Sequence, residues 1–269
     1  MRIGFSTASF FKKELTEDAL VAIQRLGAPC CEVFLGSFSE YTQKFARLLK
    51  TRKNGVDVVS VHTLNQQYEP DLFNQVERAR KDSENILRKV ARAANIVGAR
   101  YYTFHGPAML RRVSYSFDYE RLGKRAEELC AFVRENSYGK TSLTYENVHW
   151  CYSNTPDFFL GILPNAPSLK TCLDVKQSLQ SGFPPEKYIE AMGERLTNVH
   201  LCDYNNGRTA LPGKGDFDFE KLFGTLLSSG YRGDAMIEVY SGDYDGYDEL
   251  AESYDFLNRC LYRAERAGM

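Results

Sequence analysis

Eight short β-prone runs recur along this chain at nearly even spacing, separated by stretches of helical periodicity. That alternation restricts the possible folds more than any other feature. The runs occupy residues 3–6, 31–35, 56–62, 100–105, 142–147, 171–175, 198–202 and 235–239. They are rich in Val, Ile, Tyr, Phe and Thr, and several are near-continuous apolar stretches, as in strands buried on both faces. Between them, residues 17–26, 41–52, 71–96, 119–136, 185–192, 219–229 and 247–264 carry helical patterns. The clearest is 71–96, where Phe73, Val76, Ala79, Ile86, Leu87, Val90 and Ala94 are spaced for one apolar face. Thr16 is expected to cap the first helix, with Glu17 and Asp18 suiting its positive end. Gly27, Gly55, Gly98 and Gly230 stand between a helix and the next strand, where a left-handed residue ends a helix with least strain.

No Pro-, Gly- or Ser-rich linker, low-complexity tract or charge block divides the chain. Eight units average about 34 residues, the size of a compact βαβ element. Even spacing without a break predicts an α/β fold, a single (β/α)₈ TIM barrel forming one domain over residues 1–269. An open doubly wound sheet would ordinarily carry a Gly-rich phosphate loop after an early strand, and neither GxGxxG nor a Walker loop occurs.

Charge narrows the class of partner. Lys and Arg total 34 and Asp and Glu 35, a net charge of −1, which argues against binding to nucleic-acid phosphates or an anionic membrane. No apolar run approaches the ~20 residues of a membrane helix. The apolar part of the first residues is too short for a signal peptide. Seven cysteines, an odd number with Cys30 and Cys31 adjacent, make no disulfide framework and read as small buried hydrophobes. A soluble cytoplasmic protein is expected.

Barrel active sites lie at the carboxyl ends of the strands. The titratable residues that fall there are Glu32, His62, His105, Glu146, Asp174, His200 and Glu238, and they include three of the four histidines in the chain. A carboxylate inside a strand run such as Thr-Tyr-Glu146-Asn-Val or Met-Ile-Glu238-Val-Tyr must be paired, protonated or bound to a metal. Glu146, Asp174, His200 and Glu238 end four consecutive runs. Three carboxylates and one imidazole suit Mn²⁺, Mg²⁺ or Co²⁺, and Zn²⁺ also fits. No HExxH helix or CxxC pair offers a competing site.

The chain resembles the sugar phosphate isomerase/epimerase family of xylose isomerase-like TIM barrels, which also includes endonuclease IV. The resemblance covers essentially the whole length. It rests on Ser60-Val-His62, Tyr102-Thr-Phe-His105-Gly-Pro, Tyr145-Glu146-Asn, Cys172-Leu-Asp174, Asn198-Val-His200-Leu-Cys-Asp203, Leu211-Pro-Gly-Lys-Gly215 and Ile237-Glu238-Val. It implies one divalent metal ion, Mn²⁺ first among Mn²⁺, Zn²⁺, Co²⁺ and Mg²⁺, held by Glu146, Asp174, His200 and Glu238. Two departures stand out: Gln177 occupies a position where many members carry His, and Gly207-Arg-Thr-Ala lacks metal ligands that endonuclease IV places there. Together with the charge balance, these disfavour a nuclease.

The implied activity is isomerisation or epimerisation of a sugar or keto-polyol. The metal would polarise a carbonyl, and a carboxylate would remove the neighbouring proton to give a metal-stabilised enediolate. Glu146 and Glu238 resemble the paired carboxylates that remove and return the proton. Glu32, His62, His105, Lys176 and Arg208 are the expected substrate-binding residues, with His149 and Trp150 as walls of the pocket. The aromatic segment from Tyr240 to Tyr247 is expected to form a lid or a subunit contact, which leaves a homo-oligomer open. An inosose-dehydratase-like lyase shares the first step and is the alternative. A non-catalytic sugar-binding barrel is a more distant one.

Overall fold

The computed structural model describes residues 1–64, 67–109, 116–205 and 207–268. Its barrel strands are β1 (Ile3–Ser6), β2 (Cys30–Leu35), β3 (Asp57–Thr63), β4 (Tyr101–Phe104), β5 (Ser142–Glu146), β6 (Lys170–Asp174), β7 (Leu196–Leu201) and, after an antiparallel hairpin of β8 (Asp203–Asn205) with β9 (Arg208–Ala210), β10 (Asp234–Ile237). The eight barrel strands close in the order β1-β10-β7-β6-β5-β4-β3-β2, every pair parallel. All eight expected runs are therefore strands of the TIM barrel. The helices are α1 (Thr16–Arg25), α2 (Gln43–Arg52), α3 (Glu77–Val97), α4 (Tyr119–Asn136), α5 (Pro156–Ile162), α6 (Val175–Gln180), α7 (Pro185–Met192), α8 (Phe219–Ser228) and α9 (Tyr247–Ala267). Among the described residues, no helix is long and apolar enough to cross a membrane.

Local chemistry explains where the helices depart from the expected pattern. Residues 71–96 do not form one helix: a 3₁₀ turn, Glu69–Phe73, precedes α3. Asn74 causes the break, since its Nδ2 donates to Asp71 Oδ1 at 2.8 Å and its Oδ1 accepts from the Val76 N–H at 2.9 Å. A side chain that bonds nearby backbone competes with the helix for the same groups. Val76 is consequently exposed rather than part of the apolar face. Thr16 is not a cap either: Leu15 holds the N-cap position without a side-chain bond, and Thr16 Oγ1 donates to the Phe34 carbonyl. The four inter-element glycines do adopt positive φ, and Gly98 ends α3 in the left-handed region at φ 88°. The short helices α5 and α6 and the β8–β9 hairpin were not foreseen. Seven and six residues are too few to show a helical period.

The barrel interior is layered because inward-facing side chains repeat every second residue. At the amino end Cys30, Val59 and Met236 pack together with Tyr101. The next layer holds Glu32, Ser60, Thr103 and Asn198 of β2, β3, β4 and β7, all fully buried, and an irregularity in the β2–β3 pairing at Cys31 and Glu32 brings Ser60 level with Glu32. The next inward step reaches the carboxyl ends of the strands. All seven cysteines are free and buried.

Charged residues seal the opposite end. Arg2, just before β1, donates from Nε to Asp234 Oδ1 at 2.9 Å and from Nη2 to Asp57 Oδ2 at 2.7 Å. Arg100, just before β4, reaches Asp57 Oδ2 at 2.9 Å and Asp234 Oδ2 at 3.1 Å. The network ties β1, β3, β4 and β10 together across the ring. Asp234 is its most buried member, so Asp234→Ala should cost about 1–2 kcal/mol, between the values for exposed and buried pairs. Chemical denaturation of wild type and variant measures this; a change under about 0.5 kcal/mol would show the network to be energetically idle.

Candidate active site

At the carboxyl ends of β5, β6, β7 and β10, one donor atom each from Glu146, Asp174, His200 and Glu238 lies within 4.8 Å of every other. His200 Nδ1 is the hub, 3.3 Å from Glu146 Oε1, 3.5 Å from Glu238 Oε2 and 3.9 Å from Asp174 Oδ2. Asp174 divides its labour: Oδ1 caps α6 by accepting the Gln177 N–H at 2.8 Å, which leaves Oδ2 for the cluster. His62 and His105 approach Glu146 from its other oxygen, Nε2 lying 3.5 and 3.0 Å from Oε2. These three residues form a second donor group that shares Glu146 with the first.

The electrostatics are strained in a way that points to a cation. Burial alone would lower the His200 pKa, but Cys172, Glu238, Glu32 and Glu146 around it raise it well above the usual imidazole value. Burial raises the Asp174 pKa to about 6, with Glu146 and Glu238 adding repulsion against the help of Lys176. Glu146 goes the other way: burial opposes its charge, yet His105 and His200 hold its pKa well below the ordinary value. For His105 burial again opposes charge, and the Glu146 carboxylate prevails and raises the pKa. Glu146 Oε2, Glu238 Oε2 and His200 Nδ1 are buried without a hydrogen-bond partner among the described residues. Converging, unsatisfied oxygen and imidazole donors fit a divalent cation.

Glu32 does not face a substrate space. Its carboxylate is 0% exposed and lies beneath His200, with Oε1 3.2 Å from His200 Nε2. Oε2 accepts from Ser60 Oγ at 2.6 Å, Thr103 Oγ1 at 3.0 Å and Asn198 Nδ2 at 3.2 Å. Burial opposes its charge, but His200 and these donors bring its pKa to about 2. Glu32 thus fixes the tautomer and angle of His200, leaving Nδ1 free for the cluster. The sugar-binding expectation for Glu32 is corrected; pairing with a neighbouring cation is what the geometry gives. Arg208, also expected to bind substrate, opens β9 with an exposed side chain and has no ion pair to the cluster among the described residues. His62 is buried with Nδ1 at 2.9 Å from the Thr103 carbonyl, and His105 is 14% exposed against the edge of Trp150. Lys176 is buried beside Asp174 and Glu238.

Other side chains support the cluster from outside it, and of these Glu69 gave no signal in the sequence. Asn147 bridges β5 and β6, donating to the Asp174 carbonyl at 3.0 Å and accepting its N–H at 2.7 Å. Glu69, fully buried in the 3₁₀ turn, accepts the His105 N–H at 2.8 Å and the Tyr102 hydroxyl at 2.5 Å. Gln177 Oε1 lies 2.6 Å from His149 Nδ1 and so holds that ring at the β5 end. Of the aromatic segment after β10, Tyr240 lies over Lys176, while Tyr244 is buried with its hydroxyl donating to the Ser9 carbonyl.

The chain belongs to the family described as xylose isomerase-like TIM barrels, whose pattern matches residues 20–260. Comparison with curated proteins finds no significant sequence match. Solved structures of the same fold include D-psicose 3-epimerase with D-tagatose from Clostridium cellulolyticum H10, at 15% identity, TM-score 0.80, 97% of this chain and 99% of that one. IOLI protein with a binding zinc atom is 15% identical with TM-score 0.74, over 100% of this chain and 99% of that one. The probable 3-DHS dehydratase AsbF from Bacillus anthracis is 13% identical with TM-score 0.74, over 96% of this chain and 99% of that one.

Asp203 explains why two separated motifs of the sequence occur together. Its buried carboxylate accepts the N–H groups of Tyr204, Gly213, Gly215 and Phe217 at 2.8 to 3.0 Å, which clasps the Pro-Gly-Lys-Gly turn. A Cβ at Gly215 would fall 2.3 Å from Asp203 Oδ1, so only glycine fits there. Asp203→Asn, with one acceptor oxygen in place of two, should raise amide exchange at Gly213 and Gly215 by at least tenfold. Unchanged exchange rates at these two amides would show that the clasp does not hold the turn.

Proposed function

We propose that the protein is a divalent-metal-dependent isomerase or epimerase of a sugar or keto-polyol. The observation that carries this reading is the convergence of Glu146, Asp174, His200 and Glu238 on one buried point with unsatisfied donor atoms. The epimerase, dehydratase and zinc-containing structures of the same fold support it. Those four residues would hold one ion, with Mn²⁺ the best match to an oxygen-rich set and Zn²⁺, Co²⁺ or Mg²⁺ also compatible. When bound, the ion supplies a Lewis acid that acidifies the C–H beside a carbonyl.

Glu146 and Glu238 come from strands separated by β6 and β7, so they flank Asp174 and His200. They are not equivalent. Glu146 is 1% exposed, with His105 Nε2 3.0 Å and His62 Nε2 3.5 Å from its Oε2, whereas Glu238 is 13% exposed with Lys176 and His200 beside it. Glu238 is therefore the carboxylate that takes the proton, and Glu146 with His105 is placed to return one. His62 and His105 orient Glu146 and can share a substrate hydroxyl. An inosose-dehydratase-like loss of water begins with the same proton removal and is the second reading, favoured by the dehydratase of the same fold.

Metal content and affinity of the purified protein test the site directly. About one ion per chain is expected, bound at least 100-fold more weakly by His200→Ala and Glu238→Gln, and about 10- to 100-fold more weakly by Glu32→Gln. Ketoses and inososes incubated in deuterated water should then take up deuterium at the carbon beside the carbonyl, and Glu238→Gln should abolish the uptake. A protein that binds none of the four ions, or binds them equally well in all three variants, overturns the metal site.

A further inference from the structure

Among the described residues, Lys176 is the buried charge at the cluster that holding a metal leaves without a task. It sits in the first turn of α6 with its side chain only 4% exposed. Nζ lies 3.5 Å from Asp174 Oδ2 and 3.9 Å from Glu238 Oε1, with the Tyr240 ring centroid at 4.8 Å. Both oxygens lie outside hydrogen-bond range. A lysine that served only to neutralise a carboxylate would close on it, as Lys81 does on Glu77 at 2.6 Å and Lys221 on Glu186 at 2.7 Å. An ammonium has three N–H donors, and among the described residues none of those of Lys176 makes a hydrogen bond. Among the described residues, Lys13 is committed to the Tyr244 carbonyl and His105 to Glu146.

We propose that Lys176 donates to the substrate oxygen that becomes negatively charged when the proton leaves carbon. The assignment rests on the isomerase/epimerase reading and adds the group that binds its intermediate. In that step the C–H bond breaks and its proton passes to a Glu238 oxygen. The freed electron pair forms the C=C bond of the enediolate, and the carbonyl π pair moves onto oxygen. Lys176 makes and breaks no covalent bond; its charge meets the new oxyanion. Tyr240 covers the ammonium and keeps it from swinging to solvent. A site built this way prefers a planar anion with vicinal oxygens over a neutral polyol, and Lys176 adds to the preference that a bound divalent ion would give.

Oxalate, a planar anion with vicinal oxygens, and xylitol, a neutral polyol, are suitable probes for calorimetric titration into the Mn²⁺-loaded protein. Mn²⁺ affinity is measured first in each form. Lys176→Met should weaken oxalate by about 10- to 100-fold, the range for a hydrogen bond to a charged group, while xylitol and Mn²⁺ shift by less than about threefold. Lys176→Arg should recover part of the oxalate affinity, and Lys176→Gln reads the same ratio should the Met variant not fold. Equal losses for both probes, or a tenfold loss of Mn²⁺ affinity with the probe ratio unchanged, would overturn the assignment and make Lys176 a neutraliser of Asp174. Wild-type protein that binds no Mn²⁺ overturns the metal reading itself, an outcome seen before any Lys176 variant is titrated.

Discussion

Four carboxylates gathered around one buried imidazole are the constraint to which the rest of this structure is fitted. Glu32, Glu146, Asp174 and Glu238 all lie within 4 Å of His200, which is fully buried. In a low-dielectric interior such crowding is tolerated only where opposite charge and hydrogen-bond donors meet each oxygen. Glu32 has its donors built in, from Ser60, Thr103 and Asn198. On the other side of the ring, Glu146 Oε2, Glu238 Oε2 and His200 Nδ1 are left without a hydrogen-bond partner among the described residues. The fold gives one oxygen of the lower carboxylate three donors and leaves the facing oxygens Glu146 Oε2 and Glu238 Oε2 with none, which separates a positioning residue from candidate ligands.

The two ends of the barrel divide stability from chemistry accordingly. At the amino end an apolar plug and the Arg2, Asp57, Arg100 and Asp234 network satisfy every charge with a close partner. At the carboxyl end the backbone is held by side chains that never enter the cluster. Asn147 extends the β5–β6 ladder, Ser153 donates to the Glu146 carbonyl at 2.7 Å, and Asp203 gathers its four amides. Such side-chain bonds substitute for ladder bonds where the strands end, so the ligand-bearing residues stay fixed although loops follow them.

What the sequence made legible follows from period. Strands buried on both faces are short and apolar, and all eight could be counted; titratable residues at their ends stood out because that position is otherwise apolar. The depth of a residue within the barrel was not legible. Glu32 lies one inward step below the end of its strand, and nothing in Cys31-Glu32-Val33 distinguishes a residue under the site from one in it. Arg208 was placed by likeness to a motif, whereas its side chain points out from a hairpin whose pairing depends on Asp203, Tyr204 and Asn205 meeting Ala210, Thr209 and Arg208. Glu69 escaped notice because, of its partners Thr63, Tyr102 and the His105 amide, only Thr63 is near it in sequence, while the other two are more than thirty residues away. Long-range polar pairing has no local signature.

The flanks of the cluster carry the last argument. On one side two imidazoles bear on Glu146; on the other a single ammonium stands between Asp174 and Glu238 without touching either. Two bases meant to act equally on the two faces of a substrate would have matched surroundings. Here Glu146 lies against two imidazoles that can relay a proton, and Glu238 lies next to an ammonium that cannot relay one without losing its charge. Under the proposed reading the substrate therefore meets two chemically distinct faces, one suited to form the anion and the other to quench it. Gln177 sharpens the contrast: its amide oxygen is spent on His149, which leaves Lys176 as the charge that the turn after Asp174 brings to the site. Which oxygen of a substrate lies against that ammonium then fixes which carbon gives up its proton.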